Sequence, residues 1–254
     1  MFEFLLVFIL NVVETVARAW RVERVESGVR SISNGLTIPP FARRHSARLK
    51  TAAAEASRRA RRTACLAEGA QGAAAMMRVL RDHGAGRADP KYRWANGALS
   101  APCAHGGGLL GATQTTASWV SMLRPGAHAH WATGTAAPCT GLFKPVDVHQ
   151  PLALGPTPTE RADGESLWWR HEALHRRVMT DPARLLPLYG AARDAVEARW
   201  CEARPDSAAA FAEGDRLLVD WTDRVARGAG RDRRPWWVRR YWRRRNAWAG
   251  PAVG

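Results

Sequence analysis

Lysine is nearly absent from this chain: across 254 residues it occurs only at Lys50, Lys91 and Lys144, so the net charge of +15 is carried almost entirely by arginine. Clustered Lys and Arg would supply sequence-independent phosphate affinity. Arginine enrichment beside abundant alanine fits a GC-rich coding genome equally well, and charge alone does not select a polyanion partner. Cysteine is also sparse. Cys65, Cys103, Cys139 and Cys201 lie far apart, with no CxxC pair and no zinc-knuckle spacing, which excludes a disulfide-stapled scaffold and favours a reducing, cytoplasmic setting. Long apolar runs are missing too. Phe4 to Leu10, extended by Val12 and Val13, is too short to span a bilayer as a helix. A secretory signal is the lesser reading, because Glu3 and no Lys or Arg precede that run, although Ala17-Arg18-Ala19 resembles a cleavage site.

What is present suffices for one large domain with a buried core. The segments AWRVERVE and VRSISNGLTI, either side of Ser27-Gly28, predict a hairpin between about Ala19 and Ile38. Pro39-Pro40 ends it. From Arg43 to Gly69 the composition predicts one long basic helix, and from Ala70 to His83 a shorter one with Met76, Met77, Val79 and Leu80 on its apolar face. Between Asn96 and His149 the texture of Gly, Thr, Ser and β-branched residues predicts three or four antiparallel strands, one ending near Leu110 and others within 113–123, 127–135 and 140–148. Helices are expected at 165–179, 182–204 and 207–227, with Asp181 as an N-cap before Pro182. The organisation expected is an apolar segment 1–13, a sheet-containing domain 14–149, a proline-rich connector 150–159, a helical region 160–228 and an Arg/Trp tail 229–254.

Several constellations invite chemistry. His171-Glu172-Ala173-Leu174-His175 is a literal HExxH, which on a helix sets two imidazoles for Zn²⁺ beside a glutamate base. Arg176 and Arg177 follow directly and no histidine lies downstream as a third ligand, so the helix reads first as a core-packing one and a zinc peptidase built on His171, Glu172 and His175 is the alternative. His128 and His130 with Cys139 could imitate a metal site, but a half-buried strand face is the plainer reading. Gly106-Gly107-Gly108 lacks a following GK[ST] and reads as a turn, not a phosphate loop. No metal and no cofactor is therefore expected. Tryptophans 236, 237, 242 and 248 among arginines would suit nucleic acid or a membrane surface, giving a non-enzymatic basic adaptor as a further alternative; docking of the tail on the domain is favoured.

Four stretches then stand together: SISNGLTI at 31–38, CAHGGGLLGATQTTASWVSML at 103–123, HWATGTAAPCTGLFKP at 130–145 and SLWWRHEALHRR at 166–177. In order and spacing the chain resembles the secernin-like dipeptidases, cysteine-type members of the N-terminal-nucleophile hydrolase superfamily. That resemblance implies an α+β fold, an αββα sandwich of two stacked antiparallel sheets, acting on small peptide substrates without a cofactor. It implies a nucleophile at the first residue of the mature chain, whose own α-amino group moves the proton. Phe2 stands where removal of Met1 would expose that residue, so the nucleophile is not found here and the chain reads as truncated and inactive alone. Asn34 is the one residue the resemblance carries over, as a candidate oxyanion donor, against its reading as a turn residue before Gly35. A sheet lacking its neighbours would further predict self-association through an apolar edge. Nucleic acid and membrane are not the expected partners.

Overall fold

A computed structural model describes residues 11–16, 18–109 and 113–250. Its first element is a hairpin, β1 (Asn11–Val16) against β2 (Ala19–Arg24), with Val13 opposite Val22 and Thr15 opposite Trp20. The expected hairpin is thus displaced: β2 pairs with the segment before it, not with residues 29–38. The reason lies in Glu14. This buried carboxylate faces the 29–38 segment and accepts from the Thr37 amide, Thr37 Oγ1 (2.7 Å) and the Ile38 amide (3.0 Å). The backbone donors that a strand would have used there are consumed by a side chain. Val12, Ile38 and Phe41 close a small apolar cluster beneath, while Val13, Trp20 and Val22 remain exposed on the outer face.

The long basic helix is broken into α1 (Pro39–His45), α2 (Arg48–Ala53) and α3 (Ala56–Ala67). Neither break carries Pro or Gly. At the second, Glu55 adopts a left-handed conformation (φ 54°), and its carboxylate is taken by Arg58 and Arg93 while Arg59 caps the Ala54 carbonyl. Tertiary contacts override a uniformly favourable helix propensity. In α4 (Gly72–Leu80), Ala73, Met76, Met77 and Leu80 recur at helical spacing and face the core.

Three short strands, β3 (Trp119–Met122), β4 (Ala129–Ala132) and β5 (Lys144–Val146), form an antiparallel sheet in that order. Val120 and Trp131 from this sheet, with Phe143 just before β5, meet Met76, Met77 and Leu80 of α4. The strand expected to end near Leu110 is not formed over 98–109, which carries only an isolated bridge, Ala98 with His105; Leu110 itself lies outside the described residues.

The helical region begins with α5 (Leu167–Val178), capped by Ser166, whose Oγ accepts from the Trp169 amide. The helix expected over 182–204 is interrupted by Pro187: α6 (Pro182–Leu185) passes through a 3₁₀ turn into α7 (Gly190–Ala203). Asp181 gives α6 no side-chain cap and pairs instead with Arg184 and Arg233. Helix α8 (Ser207–Arg227) buries Ala210, Gly214, Leu218, Trp221 and Val225 in one stripe, of which Ala210, Leu218, Trp221 and Val225 pack with Leu174, Val178, Leu185, Tyr189 and Trp200 into one large core. The Arg/Trp segment is a helix, α9 (Trp236–Ala249), with Val238, Trp242 and Ala249 buried. The fold is mixed α+β, with two small sheets among the described residues. Among the described residues no helix is long and apolar enough to cross a membrane.

Candidate functional site

Beside the α5–α8 core, to which Cys103 and Cys139 belong, the chain buries a group of two histidines and two cysteines. His83 follows α4, Cys103 and His105 sit on the 98–109 segment, and Cys139 lies on the turn joining β4 to β5. Their exposures are 5%, 1%, 0% and 3%. One donor atom from each lies within 4.8 Å of the other three. The two imidazoles face each other through their Nε2 atoms at 2.9 Å, and His105 Nε2 lies 3.3 Å from Cys103 Sγ and 3.6 Å from Cys139 Sγ.

Each ligand-bearing segment is fixed by backbone bonds. The Cys103 amide donates to the Asp82 carbonyl, tying it to the end of α4, and Ala98 and His105 exchange a pair of amide bonds. The Ala104 amide donates to Thr115 Oγ1, and the Ala137 amide to the Thr115 carbonyl, so Thr115 joins the two cysteine segments. Glycine is needed where these segments meet. A Cβ on Gly108 would stand 2.4 Å from the Gly97 nitrogen, and one on Gly97 2.7 Å from the His105 carbonyl. Gly107 and Gly108 thus serve close packing, and the expected turn at 106–108 is not formed.

The turn holding Cys139 is clamped from outside the site. Arg81 donates through Nε to the Pro138 carbonyl (2.8 Å) and through Nη2 to the Gly141 carbonyl (3.0 Å). Its guanidinium also forms a two-pronged pair with Glu197 of α7 (2.7 and 2.6 Å), and Glu197 in turn accepts from the Phe143 amide (2.7 Å). Arg193 donates to the Cys139 carbonyl itself.

Electrostatically, burial raises the cost of every charge here, but the cluster offsets it unevenly. For Cys139, burial is outweighed by the bond from Cys103 and by His105 and His83, which push its thiol below the ordinary range; burial and Cys139 push the Cys103 thiol up. Burial opposes a charged His83, yet Cys139 and the Ala88 carbonyl raise it, whereas burial lowers His105.

No family model, no curated protein and no solved structure matches this chain. The site must therefore be read from its own geometry. The HExxH residues are all buried on α5 but do not converge with one another as a metal-binding group among the described residues. Glu172 pairs with Arg176 (2.8 Å), a partner already stacked between Trp169 and Trp242 of α9. His175 Nδ1 lies 3.0 Å from Thr140 Oγ1, and its ring stacks on that of His105 with centroids 5.4 Å apart. His171 lines a small closed cavity of about 20 Å³ with Thr140, Lys144 and Trp221, and burial pushes its pKa down to about 4. Of the imitative trio His128, His130 and Cys139, only the cysteine is in the centre; His130 Nδ1 lies 2.8 Å from Ser121 Oγ on the half-exposed face of β4.

Asn34 lies apart from the cluster set. Its Oδ1 accepts from Arg59 Nη2 (2.6 Å), while Arg59 also holds Ser33 Oγ and the Leu99 carbonyl. The Asn34-Gly35 step is tight: the Gly35 amide donates to the Ser33 carbonyl (2.6 Å), and a Cβ on Gly35 would press Thr51 Cγ2 at 2.9 Å. In α9, Trp242 is buried under Arg176, whereas Arg240, Arg243, Arg244 and Arg245 are exposed.

Sequence reasoning missed the cluster. Only Cys103-x-His105 is local; His83 lies 22 residues from His105 and Cys139 lies 34 residues from it. An alternating Cys-x-His on an extended segment, which points both side chains to one side, was the available signal.

Proposed function

We propose that this chain is a secernin-like dipeptidase scaffold, built toward the αββα plan of N-terminal-nucleophile amide hydrolases, whose nucleophile is not among its own residues. One observation carries the reading. Three of the four stretches on which the resemblance rests meet in the buried core: Cys103 and His105 of 103–123 and Cys139 of 130–145 share one cluster, and His175 of 166–177 stacks on His105 and lies 3.0 Å from Thr140 Oγ1.

Chemistry limits what the chain does unaided. This hydrolase class needs a nucleophile that carries its own α-amino group. Cys103 and Cys139 are internal and buried, Cys65 is exposed on α3 and Cys201 lies on α7. Asn34 remains the candidate donor to a developing oxyanion.

The test is release of free amine from a panel of unblocked dipeptides. The chain is expected to match the blank, because none of its four cysteines carries a free α-amino group, while still binding dipeptide in an equilibrium titration. Turnover by the present chain that disappears in Cys103→Ala or Cys139→Ala would contradict the nucleophile assignment. Failure of the chain to bind any dipeptide of the panel would contradict the dipeptidase reading.

A further inference from the structure

Four donors of two soft kinds, converging from three segments into a place sealed from water, call for an occupant. Two details of the hydrogen bonding narrow it. His83 Nδ1 lies 2.7 Å from the Ala88 carbonyl; a carbonyl only accepts, so Nδ1 carries the proton and Nε2 presents a lone pair to the centre. His105 Nε2 faces that same lone pair and both sulfurs, and its Nδ1 is buried with no partner. One shared proton satisfies a single contact among these four atoms. A dication satisfies all of them together.

We propose that His83, Cys103, His105 and Cys139 hold Zn²⁺ as a tetrahedral structural centre. The distances fit. Zinc bonds of about 2.3 Å to sulfur and about 2.0–2.1 Å to nitrogen put tetrahedral corners about 3.3 Å apart for two nitrogens, about 3.6 Å for nitrogen and sulfur, and about 3.8 Å for two sulfurs. The separations of 2.9, 3.3 and 3.6 Å, with no pair of donors beyond 4.8 Å, need shifts of a few tenths of an ångström, and at most about an ångström. Two thiolates and two imidazoles in a tetrahedron select zinc over harder ions. The charges also balance: two thiols each give up a proton on binding, and the two thiolates cancel the dication, leaving a neutral unit that a core can hold. Of the cations that clamp the Cys139 turn, Arg81 is already paired with Glu197 and Arg193 with Asp194.

With four protein donors no position is left for water or substrate, which is the arrangement of structural and not catalytic zinc. The bond from His83 to the Ala88 carbonyl is the outer-shell partner that such imidazoles carry. The ion would join the end of α4, the 98–109 segment and the β4–β5 turn, three pieces that share no sheet. This inference does not depend on the dipeptidase reading, since it concerns the four side chains alone.

The experiment is metal analysis of the full chain purified without chelators, followed by exchange of Co²⁺ for the native metal. About one zinc per chain is expected. The cobalt form should show thiolate-to-cobalt charge transfer in the near ultraviolet and the intense visible bands of tetrahedral Co²⁺. Cys103→Ser and Cys139→Ser should each lose the metal, whereas Cys65→Ser and Cys201→Ser should keep it. If the serine variants fail to fold, the wild-type cobalt spectrum decides alone, because a site without thiolate ligands lacks that charge transfer and its intensity grows with the number of thiolates, so two are expected to give about twice the absorption of one. A metal-free chain that takes up no Co²⁺ on refolding overturns the proposal. Zinc retained in Cys139→Ser but lost in His171→Ala would overturn it too, by moving the ion to α5.

Discussion

Replacing Glu197 with alanine strikes the clamp on the Cys139 turn without touching the cluster. Glu197 is 4% exposed and bonded twice to Arg81 and once to the Phe143 amide. Removing one partner of such a buried pair leaves an uncompensated charge at about 3–5 kcal/mol. The orphaned Phe143 amide adds about 1–3 kcal/mol. The costs overlap, because a relaxed turn would let water reach both groups, so about 4–6 kcal/mol is expected for Glu197→Ala. That is comparable with the whole stability of an ordinary domain, about 5–15 kcal/mol. Urea unfolding followed by circular dichroism at neutral pH would measure it. A cycle with Arg81→Ala should show strong coupling, the second truncation costing far less than the first. A loss below about 1 kcal/mol, or additive single effects, would refute the network as the support of the turn.

Two further outcomes follow from buried titratable groups. The His171 pKa, lowered by burial to about 4 from an ordinary 6.5, corresponds to about 3 kcal/mol; the unfolded chain takes up the proton first, so this stability is intact above about pH 6.5 and lost as pH falls toward 4. His171→Leu should flatten that part of the acid limb relative to wild type in denaturant titrations at stepped pH; parallel curves would refute it. Lys144, whose Nζ donates to the Thr133 and Leu142 carbonyls, is pushed by burial to about 8 from 10.5, so stability should rise as pH goes from about 8 to 10, by up to about 3 kcal/mol before opposing groups intervene. Lys144→Met should abolish the rise; measurement stops near pH 10 because Tyr92 and Tyr189, raised by burial, act in the opposite direction above it.

Legibility in the sequence followed the range of the interactions. The apolar face of α4 and the helices α5 and α8 were readable because their periodicity and caps are local, and the short loops around β3 to β5 foretold antiparallel pairing. The hairpin was misplaced because the decisive group, Glu14, acts on backbone 23 and 24 residues away. The long basic helix was broken by arginine contacts to Glu55 and Ala54 that no propensity encodes. At the site the same rule applied more severely. His171, Glu172 and His175 formed the conspicuous pattern because their spacing is helical, yet α5 turns them toward different neighbours: Lys144 and Trp221, Arg176, and Thr140. The residues that do converge are brought together only by the Thr115, Asp82 and Arg81 bonds between segments.

Zinc-edge X-ray absorption on the full chain tests the Cys₂His₂ centre most directly, since it counts ligands by element without any substitution. Two sulfurs at about 2.3 Å and two imidazole nitrogens at about 2.0–2.1 Å are predicted. A first shell of nitrogen and oxygen alone, or a preparation with no zinc to measure, would contradict it.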